Sequence, residues 1–207
     1  MPAAQPILGR LLAAMAAAAL AVTTLAGQPC VAGDVPRLAQ ALPRAAARAE
    51  RLDELFARLK LTKDEQEGDA IVSEIWKLWQ QSGDAELDEK MQQAILLMGQ
   101  GIGTLAMPIL DDIVKRLPDW AEGWNKRATM LYLMGEHDRS LADIERVLAL
   151  EPRHFGALAG TGLIRIEKGE YRAALAAFRR ALAINPFLKE RFGIIPALEK
   201  EIGEKGL

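Results

Sequence analysis

Strand formers, aromatics and cysteine are all scarce in this 207-residue chain. Val, Ile and Thr together number 26, against 65 for Ala and Leu, so helix formers dominate and a β-sandwich or parallel α/β sheet is disfavoured. Aromatic residues are 5% of the chain. The single cysteine, Cys30, excludes an internal disulfide framework and a four-thiolate zinc site. Net charge is only −2 with 26% charged residues, which excludes the strong positive field of a nucleic-acid binder. The same balance, with half the residues apolar, excludes a solvated disordered tail. Two histidines and three serines leave little material for acid–base or nucleophilic chemistry.

The longest apolar run is LLAAMAAAALAV, residues 11–22. Arg10 precedes it, no acid occurs before Asp34, and TTLAGQPCVAG follows. A positive start, a short apolar middle and small residues beyond it are the order of a secretory signal. Cleavage is expected after Ala26 or Ala32, each with a small residue two places earlier (Thr24, Cys30). The 16 residues from Leu11 to Ala26 fall short of the roughly 20 that span a bilayer, which makes an uncleaved anchor the alternative. Lipidation of Cys30 is disfavoured by Pro29 before it. The cut after Ala32 removes Cys30, and a mature chain without cysteine suits an oxidising compartment. The expectation is export, to a bacterial periplasm.

Pro118, Pro152 and Pro186 are 34 residues apart, and Gly101, Gly135 and Gly169 keep that interval. So do Ala94, Ala128 and Gly162; Ala106, Ser140 and Ala174; and Leu110, Ile144 and Phe178. This pattern resembles the tetratricopeptide repeat. Residues 121–152 carry Trp124, Ala128, Gly135, Ser140, Ile144, Val147 and Pro152 where that motif places Trp, small, Gly, small, large apolar, small and Pro. The copy at 155–188 contains GEYRAALAAFRRALAINP, and the copy at 87–120 is degenerate, with Lys90 for an aromatic and Pro108 inside its second helix. The resemblance implies an all-α, right-handed α-solenoid of antiparallel helix pairs. The strings LDELFARLK, IWKLWQQSGD and SLADIERVLALEPRHFGALAG are similar to small exported bacterial tetratricopeptide proteins, which adds weight to export but carries no molecular activity.

The chain then divides into a signal peptide at 1–32 and a linker with the start of a first helix at 33–50 (Pro36 and Pro43 mark 33–43 as linker). A divergent helical hairpin at 51–86 forms an N-terminal cap. Three repeats follow at 87–120, 121–154 and 155–188, and a capping helix at 189–207 is split or restarted at Pro196. Within the hairpin, Leu52, Leu55, Phe56 and Leu59 share one helical face. Thr62 with Glu65 reads as a capping box opening a helix that runs to about Ser82, with Gly83 as its C-cap. Trp76 and Trp79 are three apart and read as core between hairpins rather than as an exposed pair.

His137 and His154 occupy repeat turns and read as structural, so their replacement by Ala is expected to be mild. Ser140 fills the small position of a second helix. Gly99–Gly103, GQGIG, lacks the Lys-Ser/Thr of a phosphate loop and reads as a turn. No metal, cofactor or catalytic residue is assigned. Arg44, Arg48 and Arg51 share a face that reads as solvated rather than as a membrane contact; membrane contact is expected only through the signal or an N-terminal anchor.

Resemblance to the family implies a protein or peptide partner in the concave groove lined by the first helix of each repeat. Its positions map to Asp88, Met91, Ile95 and Met98; Glu122, Asn125, Thr129 and Tyr132; and Gly156, Ala159, Leu163 and Ile166. The candidate binding residues are these twelve without Asp88, Glu122 and Gly156. The family's carboxylate clamp, which grips acidic peptide C-termini, needs Lys/Arg and Asn at these sites. Only Asn125 fits, with Lys126 and Arg127 off the main line. With two acids, Asp88 and Glu122, near one end, the otherwise apolar groove reads as suited to an amphipathic helix or apolar segment, with room for a basic flank. A non-enzymatic scaffold is the resulting expectation, with a self-associating structural solenoid, a homo-oligomer, as the alternative.

Overall fold

A computed structural model describes residues 35–205, so the signal and its cleavage sites lie outside the described residues. Among the described residues there are nine α-helices, one short 3-10 turn and no strand. They are α1 (Val35–Leu61), α2 (Glu65–Trp79), α3 (Ala85–Gly99), α4 (Gly103–Arg116), α5 (Ala121–Leu133), α6 (His137–Leu150), α7 (Phe155–Glu167), α8 (Tyr171–Ile184) and α9 (Ile194–Lys205). The 3-10 turn is Lys189–Phe192. Consecutive helices pack as pairs, α3 with α4, α5 with α6 and α7 with α8, and the pairs stack into an all-α solenoid.

The 34-residue interval reappears in the helix bounds. The second helices begin at 103, 137 and 171, and the first helices of the last two pairs at 121 and 155. Each second helix ends one residue before its proline, at C-caps Leu117, Glu151 and Asn185. Gly135 has φ +76° and closes α5: its N–H donates to the Tyr132 carbonyl, and the Glu136 N–H donates to the Leu131 carbonyl at 2.8 Å. That left-handed cap satisfies two helix-end carbonyls. Small residues face each other inside each pair. Ala94, Ala106, Ala128, Ser140, Gly162 and Ala174 are all buried, and a Cβ on Gly162 would meet the Phe178 ring at 2.5 Å. The Ser140 hydroxyl donates to the Ala128 carbonyl at 2.7 Å, so its one polar atom is satisfied within the pair.

Four expectations change. The segment expected as a linker at 33–43 is helical from Val35; Pro36 falls in the first turn, where no N–H is required. The cap of α2 is Asp64, whose carboxylate accepts from the Glu67 N–H at 2.6 Å. Thr62 instead donates to the Glu67 carboxylate, so the cap-to-glutamate spacing is kept but lies two residues further on. The helix ends at Trp79, and Gly83, with φ +71°, belongs to the following turn. The end of the chain restarts at Gly193, with Pro196 inside the first turn of α9.

The fourth change is where the α1–α2 hairpin lies. Its own core is Leu52, Leu55 and Leu59 against Ile71 and Ile75. The outer face of that core joins Phe155, Leu158, Ala181, Phe187 and Leu188 of the third repeat, with Leu148 of the second packed beside them. Instead of extending the stack beyond α3, the hairpin straps the edge where one repeat passes to the next. Gly68 on α2 makes the fit possible, because a Cβ there would stand 2.5 Å from the Phe187 ring. Ion pairs border the strap: Arg153 with Asp53 at 2.5 Å and Arg191 with Glu65 at 2.8 Å.

Candidate peptide-binding groove

The first helices of the second and third repeats, α5 and α7, leave a shallow channel between them. Asn125, Thr129 and Tyr132 line one wall; Gly156, Gly160 and Leu163 line the other. Ala128 and Ser140 form part of its floor, so the small residues that close the helix pair also shape the channel.

The nine candidate residues separate by exposure. Ile95, Met98, Thr129, Tyr132 and Ile166 are half-buried and remain partly accessible. Met91 has no exposed surface and packs with Leu87, Ala94, Leu110 and Ile113 inside the first pair, so it is core rather than groove. Asn125, Ala159 and Leu163 are also buried. Leu163 joins a cluster with Phe178, Ile194, Ile195 and Leu198, because α9 covers this end of the solenoid as a further helix would.

Tyr132 is tied across the repeat junction. Its hydroxyl donates to Glu167 at 2.7 Å, and its ring stacks on His137 with centroids 5.8 Å apart. His137 Nε2 is 3.3 Å from the other Glu167 oxygen. Burial, the hydrogen bond to Glu167 and that carboxylate's charge all raise the Tyr132 phenol above its ordinary value, so it remains an O–H donor.

The end of the channel near the starts of α5 and α7 is built differently. Glu122, mapped to the open groove by the repeat positions, is fully enclosed. Lys126 Nζ lies 3.1 Å from one carboxylate oxygen, while Asn125 donates to the other at 2.9 Å and His154 Nε2 lies 3.1 Å from it. His154 Nδ1 accepts the Ala157 N–H at 3.1 Å and so caps α7. The lone pair on Nδ1 places the proton on Nε2, which donates to Glu122. Burial raises the Glu122 carboxyl, but Lys126 and then His154 outweigh it and hold the group below its ordinary value. Arg127 is committed as well, to Asp143 at 2.8 Å and Asp111 at 2.9 Å. The side chains nearest to a carboxylate clamp thus hold carboxylates of this same chain.

Trp79, which is buried, and Trp76, which is half-buried, cover that cluster from α2, so the expected core position holds in full for Trp79 and in part for Trp76. The Trp79 ring stacks on His154 at 4.1 Å and 9°, and the Trp76 ring meets His154 and Phe155 edge-on at 5.5 and 5.4 Å. Trp120 Nε1 donates to the Trp79 carbonyl at 3.2 Å. His154 is therefore more than a turn residue: it has no exposed surface and holds a cap, a carboxylate and an aromatic stack. The expected mild effect of its loss is corrected below. Reading the sequence position by position missed this junction. The available signal was the column Trp120, His154 and Leu188, three large side chains at one repeat position, the second residue after each turn proline.

On the hairpin, Arg51 is paired with Glu54 at 2.7 Å and with Glu74 at 2.8 Å, which engages one of the three arginines considered for a membrane contact. No helix among the described residues is long and apolar enough to cross a membrane. Nor does any group of three His, Cys, Asp or Glu among them have metal-site geometry.

The tetratricopeptide-repeat family model matches residues 157–187, which cover most of α7 and α8. A TPR repeat-containing protein of Rhizobium etli is 40% identical over 137 residues, 66% of this chain and 67% of that protein. The chain belongs to the tetratricopeptide-repeat family. A weaker likeness, 27% over 86 residues, is to human Superkiller complex protein 3, of which it spans 5%. Among solved structures, the Sgt2 TPR domain from Aspergillus fumigatus superposes with a TM-score of 0.55 at 18% identity, over 59% of this chain and 83% of that one. The first TPR of Spaghetti (RPAP3), bound to the HSP90 peptide SRMEEVD, gives 0.54 at 15% identity, over 58% and 96%. At these identities the shared property is the fold. In this tetratricopeptide chain the family match falls on the third copy, while the buried charged cluster links the second copy to the start of the third.

Proposed function

We propose that this chain is an exported, non-enzymatic scaffold that binds a peptide or helix of a protein partner in the channel between α5 and α7. The observation that carries the reading is the channel itself, with Thr129 and Tyr132 half-buried on one wall and glycines opening the other. Tetratricopeptide relatives of known structure include complexes with an HSP90 peptide and with pHsp70. Their acidic-tail mode does not transfer here, because Asn125 and Lys126 are held by Glu122. An apolar or amphipathic segment fits better, with Tyr132 as the aromatic anchor.

The test is crosslinking capture from the cell envelope with the full chain and with Tyr132→Lys as baits. Placing a charge against an apolar ligand is expected to weaken capture by about 2 kcal/mol or more. A melting temperature measured beside it reports separately the stability lost with the Glu167 hydrogen bond and the His137 stack. Equal capture by both baits would contradict the groove. Leu163→Glu cannot serve as the paired variant, because Leu163 is only 8% exposed and the substitution would report on folding. Export is tested by intact mass from the native host, with starts at Gly27 or Gly33 expected and a full-length mass supporting the retained anchor.

A second reading, self-association, is favoured by one surface. Leu96, Ile102, Leu105, Leu133 and Met134 are exposed at the turns of the first two repeats. These turns adjoin: a Cβ on Gly103 would meet Met130 at 2.5 Å and Met134 at 3.8 Å. A light-scattering concentration series with wild type and Leu105→Glu separates this reading from a monomeric scaffold.

A further inference from the structure

We infer that α2 is a tethered ligand of the repeat array, and that the array's partner is an amphipathic helix carrying two aromatic residues three positions apart, which competes with α2 for its seat. This rests on the groove reading and names the partner and the regulation of that site.

The seat is continuous with the channel. Gly156 and Asn125 line the channel, and the same Gly156 carries the Trp76 ring: a Cβ there would stand 2.6 Å from Trp76. The equivalent positions in the other repeats hold Asp88 and Glu122, so the aromatic seat exists only in the third copy. Beside it, His154 receives the face of Trp79, and Trp120 reaches the Trp79 carbonyl. The two arginines at the rim, Arg153 and Arg191, meet acids from the hairpin, Asp53 and Glu65. The site therefore reads as a receptor for a helix with an aromatic pair and an acidic N-terminus, the second acid being supplied by the adjoining α1.

Two features make α2 displaceable. First, the polar contacts that hold Glu122 come from the repeats. Lys126, Asn125 and His154 surround it, and His154 accepts from Ala157, while α2 adds ring contacts, Trp79 on His154 and Trp76 beneath Lys126. Lifting α2 leaves that network whole and returns charges to water, recovering part of their desolvation cost. Second, Trp79 Nε1–H is buried without a hydrogen-bond acceptor among the described residues, a cost that ends when α2 is released. Apolar contact, the hydrogen bond from Trp120 to the Trp79 carbonyl and two exposed rim ion pairs hold the strap against these costs. Another helix of the same character, which also offers a C-terminal carbonyl to Trp120, can replace it.

The probe is a fluorescein-labelled synthetic peptide of residues 65–81, titrated against the full chain. Wild type should bind it weakly. The rim variant Asp53→Asn/Glu65→Gln, which loosens the internal helix but keeps both arginines, should bind about tenfold tighter, the order expected of two exposed ion pairs. Adding Gly156→Leu, which fills the Trp76 seat, should abolish binding. A peptide with both tryptophans replaced by Ala should not bind either, and this control leaves the protein unaltered. Equal affinity of wild type and rim variant, or binding that ignores either tryptophan, would overturn the inference. A rim variant that dimerises in light scattering without binding peptide would assign the seat to α2 of a second copy and overturn it as stated. Peptide binding with unchanged partner capture by Tyr132→Lys would sink the groove reading alone. No peptide binding, with capture lost in Tyr132→Lys, would sink the tethered ligand alone.

Discussion

His154 has no exposed surface and three attachments: the Ala157 amide, the Glu122 carboxylate and the Trp79 ring. Replacing it with Ala removes a helix cap and a stack and weakens the satisfaction of a buried carboxylate. The expected cost is about 3 kcal/mol, read as a lower urea midpoint at unchanged slope. His137→Ala should cost well under half of that, because His137 is partly exposed and its contacts with Tyr132 and Glu167 cap no helix and satisfy no buried carboxylate. The same cluster gives the protein an acid limit. Glu122 sits below its ordinary value of 4.5, so the stability it contributes is complete above that value and is lost as pH falls through the lower folded one. Glu86 adds to the trend: two hydrogen bonds from Arg116 lower it to about 2. Melting temperature measured from about pH 7 to about pH 3 should fall, and Glu122→Gln should begin lower and fall less steeply. A slope unchanged by Glu122→Gln would contradict this placement of charge. None of this was legible from residue types alone. The two histidines fell on turn positions, and Glu122 on a groove position, where the repeat pattern presumes solvent.

At the scale of helices, the pairs were legible and their partner was not. A strict interval of 34 fixes both the small residues that meet and the glycine that turns, since each is required by backbone geometry within one repeat. Ala128→Leu should therefore cost about 1–3 kcal/mol by overpacking α5 against α6. Gly135→Ala should cost about 1–2 kcal/mol, because its φ of +76° strains any residue with a Cβ. Both are read by denaturant titration, and a neutral Ala128→Leu would mean that the pair is looser than its contacts imply. The hairpin is another case. The spacing of Trp76 and Trp79 gives a face, and the face is buried, but periodicity carries no information about what buries it. The answer lies 75 or more residues away, at His154 and Phe155. The linker reading failed for a local reason: Pro36 and Pro43 suggested extended chain, yet one of them sits in a first turn.

Seen whole, the molecule is a three-repeat solenoid strapped along one edge by its own N-terminal hairpin and closed at the far end by α9. The strap fills the part of the inner surface near Gly156 and leaves the part around Thr129 and Tyr132 accessible. The central claim is that this accessible part receives the partner. Site-specific photocrosslinking tests it most directly. A photoreactive amino acid is placed at Thr129, at Tyr132 and, as a control, at exposed Glu145 on α6, and the full chain is irradiated in the envelope of its host. One protein adduct of the same mass from positions 129 and 132, and none from 145, is the predicted result. An adduct from 145 with none from 129 or 132 would place binding outside the channel and contradict the account.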